Sequence, residues 1–191
     1  MKISKVRFSG IIILIIICAC VIYNIYDNNR FKVVAQEITI DKLPNEFDGF
    51  KILQISDLHG KSFGENQKDL LKTINSLEYD MIAFTGDMNK DGGESLQDCN
   101  AIFTLIDGID RKENMFWVDG NTAPFAIEKI EETQIGKLTE IGQILRDKGC
   151  KILDYPYEIT RGDKKIWIVP EMSQVIFQVF YEGIDEDREE I

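Results

Sequence analysis

Between Phe8 and Tyr26 the chain reads FSGIIILIIICACVIYNIY, a run without a charged side chain or a polar face. No other stretch restricts the backbone so tightly. In hydrocarbon every N–H and C=O needs an internal partner, so a single such segment is stable there as a helix. Its length suits a hydrocarbon core of about 30 Å. Lys2, Lys5 and Arg7 precede the run, and Tyr23 and Tyr26 lie at its far end, where amphipathic rings favour the membrane boundary. The segment therefore reads as a signal-anchor. Residues 1–7 form a cytoplasmic basic segment, 8–26 a transmembrane helix and 27–35 a linker. Residues 36–191 follow outside a single-pass cell-membrane anchor. Two alternatives remain. A cleaved signal peptide wants small residues at its cleavage point, whereas the chain past Ala19 offers cysteine, valine, isoleucine and tyrosine. A lipoprotein signal wants a small-residue box before a cysteine, which Ile17-Cys18-Ala19-Cys20 approximates.

The 191 residues suit one domain plus the anchor, and 44% hydrophobic residues supply a core. The formal net charge of -11 repels nucleic acid and anionic headgroups, so nucleic-acid binding is not expected. His59 is the sole histidine of the sequence, so any mechanism needing several imidazoles cannot be completed by these residues alone. Cys99 and Cys150 read as two buried thiols or a disulfide.

The hydrophobic pattern alternates between strand and helix. Glu37 to Ile40 alternates like a strand, and Phe50 to Ser56 reads as a buried one. Gln67 to Leu77 is helical, Met81 to Phe84 a second buried strand, and Leu96 to Ile109 a second helix. Met115 to Val118 is a third strand, Ile135 to Asp147 a third helix, and Lys151 to Leu153 a further strand. Tyr157 to Thr160 and Lys165 to Val169 flank Arg161-Gly162-Asp163-Lys164, a hairpin turn rather than an adhesion tripeptide. The order predicts an α/β sheet layered with helices. Val175 to Tyr181 has high β-propensity and wants a partner surface, and Glu182 to Ile191 reads as a solvated tail or the first turn of a further helix.

Successive strands of this α/β unit end on residues able to bind a hard metal: Asp57-Leu58-His59, then Gly86-Asp87, then Gly120-Asn121. Ligands bind beyond the carboxyl ends of such strands, so these side chains should converge. Taken singly, each has an ordinary reading, since aspartates after strands commonly cap helices or shape turns. Together they form a more specific pattern. Carboxylate, imidazole and amide suit manganese, iron or zinc better than calcium.

Phe50-Lys51-Ile52-Leu53-Gln54-Ile55-Ser56-Asp57-Leu58-His59 resembles the first motif of calcineurin-like metallophosphoesterases. Phe84-Thr85-Gly86-Asp87 resembles the second, and Val118-Asp119-Gly120-Asn121 the start of the third. Leu43-Pro44 and Phe47-Asp48-Gly49 resemble the lead-in of the membrane-anchored bacterial branch. The resemblance runs from about residue 36 to 125 and implies a layered metallo-dependent phosphatase-like sandwich, of which this chain would be the N-terminal part. It implies two divalent ions, with Asp57 and His59 on the first, Asp87 bridging both and Asn121 on the second. The family's third motif continues with histidine and aspartate, the histidine contacting phosphate as an acid; this chain has Thr122 and Ala123. Three later histidine ligands of the family have no counterpart after His59.

Two functions follow as expectations. One is a phosphoester hydrolase by family, truncated, with an active site incomplete in these residues. The other is a membrane-tethered binding or scaffolding module without catalysis. An anchored, outward-facing site hints at envelope or lipid-linked phosphoester substrates.

Overall fold

The computed structural model describes residues 5–90, 92–93, 95–128 and 137–169. The chain divides into two compact units, Met1–Thr39 and Ile40–Ile191. In the first, α1 (Lys5–Asn28) is exposed from Ser9 onward. Ser9–Asn28 is long and apolar enough to cross a membrane, a test that a signal sequence also passes. Just past the helix, Arg30 pairs with the Asp27 carboxylate. The strand expected at Glu37 to Ile40 does not form: these residues are irregular, with Ile38 77% and Ile40 59% exposed. Period-two alternation assigns faces, but a strand also needs a ladder neighbour, and none of the described residues supplies one.

The second unit holds a four-stranded parallel sheet in chain order: β1 (Ile52–Ile55), β2 (Met81–Thr85), β3 (Met115–Val118) and β4 (Cys150–Ile152). The connections contain α2 (Lys68–Ser76), α3 (Asn100–Gly108) and α4 (Glu140–Asp147). Right-handed crossovers in a sequentially ordered sheet put all three helices on one face. The register pairs Ile82 with Met115 and Phe84 with Trp117, then Met115 with Cys150 and Trp117 with Ile152. Those side chains share one face and are all buried. The opposite face carries Met81, Ala83 and Phe116. It is covered by the antiparallel hairpin β5 (Tyr157–Arg161) and β6 (Lys164–Ile168), through Tyr157, Ile159, Ile166 and Ile168, with Phe47 packed in beside them. Burial on both faces explains the unbroken apolar runs of β2 and β3.

Some boundaries differ from the sequence reading, each for a local reason. β1 is an edge strand of the described sheet and Ile52 is 58% exposed, so the apolar run there is only partly buried. Gln67 stays outside α2 in a left-handed conformation, fully buried, because its amide bonds to Lys61 O, Ala101 O and Phe63 N. The helix expected from Leu96 opens as a 3-10 turn over Leu96–Cys99, with a reciprocal Ser95–Asp98 cap. α4 starts at Glu140, later than expected, because Thr139 caps it and Leu138 pairs with Ile127. Cys99 and Cys150 are free and buried, so the thiol alternative holds. The Gly162 turn joins β5 to β6, and the Arg161 guanidinium is tied to Asp80 and to Glu46 O. Val175 to Tyr181 and Glu182 to Ile191 lie outside the described residues.

Candidate metal centre

Because the four strands are parallel, their carboxyl ends share one sheet edge, and three loops meet there. The loop after β1 places Asp57 and His59 at φ 56° and 49°, in the left-handed region. Aspartate and histidine tolerate that region better than most residues, but still at a cost of about 1–3 kcal/mol each. Hydrogen bonds to the neighbouring loop hold them there. Asp57 N donates to Gly86 O at 3.1 Å, His59 N to Asp87 O at 2.9 Å and Gly60 N to Met88 O at 3.0 Å. Between the two, Leu58 points inward and is 6% exposed.

The loop after β2 presents Asp87, again left-handed at φ 50°. One donor atom from each of Asp57, His59 and Asp87 lies within 4.8 Å of the others. His59 Nε2 stands 3.8 Å from Asp57 Oδ1, and both side chains are largely open to solvent. Such a cluster of oxygens and an imidazole nitrogen is small enough to share one divalent ion.

The loop after β3 meets Asp87 from the other side. Gly86 and Gly120 permit this approach: a Cβ on Gly120 would lie 2.3 Å from Asp87 Oδ1, and one on Gly86 3.0 Å from Gly120 Cα. Asp87 Oδ1 accepts from Thr122 N at 2.9 Å, Thr122 Oγ1 at 3.0 Å and Asn121 N at 2.9 Å. The Thr122 amide above all, with its hydroxyl, the Asn121 amide and the nearby His59, holds the Asp87 carboxyl below the usual carboxylate range, against an opposing effect of desolvation. The Asn121 side-chain amide also faces Asp87. With its nitrogen turned inward it donates to Oδ2 at 2.6 Å and to Oδ1 at 2.8 Å; with its oxygen inward it adds a hard donor beside the carboxylate. The structure thus brings together all four residues singled out from the sequence.

Two further residues shape the site and were missed. Asp119 accepts from Trp117 Nε1, Ala126 N and Ile127 N. Asn89, 3% exposed, donates to Pro124 O at 2.9 Å. The available signals were an aspartate two positions after a strand tryptophan and an asparagine just past Gly86-Asp87, both ordinary turn patterns.

The model of calcineurin-like phosphoesterases matches residues 50–188. The chain is also similar to YkuE of Bacillus subtilis (strain 168), an uncharacterized metallophosphoesterase. The two are 35% identical over 81 residues, which cover 41% of this chain and 28% of that protein. The family match takes in most of the chain and all four clustered residues, and the protein belongs to the calcineurin-like phosphoesterase family.

Proposed function

We propose that the chain is a metal-dependent phosphoester hydrolase whose own residues hold one divalent ion weakly, through Asp57, His59 and Asp87, with Asn121 beside them. The convergence of three donor atoms within 4.8 Å carries this reading. Manganese, iron and zinc are the ions whose preferences a carboxylate–imidazole–amide set meets. When bound, the ion supplies Lewis-acid chemistry, drawing charge from a phosphoryl oxygen and easing the deprotonation of water.

The chain's residues decide how far that chemistry goes. Thr122 and Asn121 favour the ionised form of Asp87 through three hydrogen bonds to Oδ1. The Thr122 hydroxyl is already donated to Asp87, so it has no proton to offer a leaving group at neutral pH. Among the described residues a second ion would find Asp87 and Asn121, and His59 is the sole histidine of this sequence. Substrates with good leaving groups, which need no acid, are therefore the ones cleaved. With α1 as a membrane anchor and its basic end in the cytoplasm, those substrates belong to the envelope, lipid-linked phosphoesters among them.

The test is hydrolysis of p-nitrophenyl phosphate and bis-p-nitrophenyl phosphate by the full-length chain in detergent with manganese. Slow turnover abolished by Asp87→Ala is the expected result. Turnover indifferent to Asp87→Ala would refute the reading. The commitment of the Thr122 hydroxyl favours one alternative, a tethered binding module: manganese uptake without any Asp87-dependent turnover would establish that instead.

A further inference from the structure

The segment from Asp119 to Ile127 carries Asn121 and Thr122, yet it is largely irregular and no regular ladder holds it. It is pinned at three points instead. From inside, the Asp119 carboxylate accepts from Trp117 Nε1 at 2.8 Å, Ala126 N at 2.9 Å and Ile127 N at 3.2 Å. From the β2 loop, Asn89 Nδ2 donates to Pro124 O at 2.9 Å. From α4, Thr139 Oγ1 donates to Phe125 O at 2.6 Å, and Gly142 lies so close that a Cβ there would stand 2.0 Å from Ala126 O.

We propose that Asp119 and Asn89 are positioning residues for the metal centre, fixing the loop so that its amides and the Thr122 hydroxyl meet Asp87 Oδ1. The inference rests on the proposed ligand role of Asp87 and deepens it. Two observations carry it. A carboxylate at the start of the loop that takes the indole N–H of β3 and two amide N–H groups from the loop's far end makes charge-assisted bonds well able to impose a single loop geometry. Asn89 is buried with its Oδ1 unpartnered among the described residues. An orphaned buried acceptor weakens folding, so packing alone would be better served by an apolar side chain there. What the asparagine adds is its bond to Pro124 O, which bridges the Asp87 loop to the Asn121 loop.

The test uses the full-length chain in detergent micelles, titrated with Mn2+ while electron paramagnetic resonance counts unbound ion. Asp119→Asn leaves an NH2 facing amide donors and should weaken Mn2+ binding about 10- to 100-fold. It should also shift the Trp117 indole N–H resonance. Asn89→Leu removes the orphaned oxygen along with the donor, so it stays folded and should weaken Mn2+ binding in the same direction. Asp80→Asn loosens the opposite sheet edge and serves as a control for general destabilisation, with Mn2+ affinity expected to stay within about twofold. Asp119→Asn and Asn89→Leu chains that bind Mn2+ no worse than the Asp80→Asn chain would overturn the proposal. A wild-type chain that takes up no Mn2+ would overturn the metal centre itself, and the positioning role with it.

Discussion

Gly120→Ala tests whether the close approach of β2 and β3 at their carboxyl ends builds the site. The added methyl would lie 2.3 Å from Asp87 Oδ1, 2.5 Å from Asp87 N and 2.8 Å from Asp87 Cγ. Carbon–oxygen contacts settle near 3.3–3.6 Å, so one loop must retreat by about 1 Å. The bonds from Asn121 N and Thr122 N to Oδ1, now 2.9 Å, would stretch to roughly 3.9 Å and be lost. Overpacking of this kind costs about 1–3 kcal/mol, or some 2–4 °C of melting temperature per kcal/mol. Gly162→Ala is the matched control. Nothing lies within 4 Å of its Cβ, but its φ of +60° makes alanine cost about 1–2 kcal/mol in a turn outside the site. The assay pairs thermal melting with Mn2+ titration and manganese-supported hydrolysis. Both variants should melt earlier, and only Gly120→Ala should lose Mn2+ affinity, by about tenfold or more. A Gly120→Ala chain that melts early yet binds Mn2+ like wild type would refute the reasoning, because Asp87 would then be placed without that contact.

Three more outcomes are expected. Arg161→Ala removes the ion pair with Asp80, the bond to Glu46 O and the stacking over Phe50 at 4.8 Å, so it should cost about 2 kcal/mol in melting experiments and leave Mn2+ affinity unchanged. Burial pushes the Cys99 thiol up to about 11 and Cys150 to about 12, from 9.0. Iodoacetamide at pH 8 should therefore label both only after unfolding; because the raised values favour the protonated folded state, stability should be intact below pH 9 and fall as pH rises through about 11 and 12, which an alkaline melting series measures. N-terminal sequencing of membrane-extracted protein should find residues 8–26 retained; a start beyond residue 18 would mean cleavage, and lipid on a terminal Cys20 a lipoprotein.

Much of the fold was legible because parallel strands buried on both faces must be apolar throughout, which marks Met81 to Phe84 and Met115 to Val118 without ambiguity. Helix starts were less so. Thr139 is chosen as the α4 cap by its contact with Phe125 O, a residue far away in sequence, so Ile135 looked as good a start as Glu140. Glu37 to Ile40 misled because alternation says which side chains would share a face and nothing about a neighbour to pair with. That the four candidate residues would come together was legible because chemistry restricts which side chains bind a hard ion and topology restricts where they stand. Apart from the Trp117 indole, Asp119 and Asn89 bond to backbone groups of Pro124, Ala126 and Ile127, and backbone partners leave no trace in residue type.

The backbone at the site bears on whether it is built before an ion arrives. Asp57, His59 and Asp87 all sit at positive φ, and together that strain amounts to about 3–9 kcal/mol if each costs about 1–3. A fold only about 5–15 kcal/mol stable cannot hold such strain without local compensation. The three cross-loop amide bonds at 57–60 and the three donors on Asp87 Oδ1 supply it. The backbone that presents Asp57, His59 and Asp87 is therefore held by hydrogen bonds within the protein, so the loops carrying the candidate ligands keep their shape without an ion.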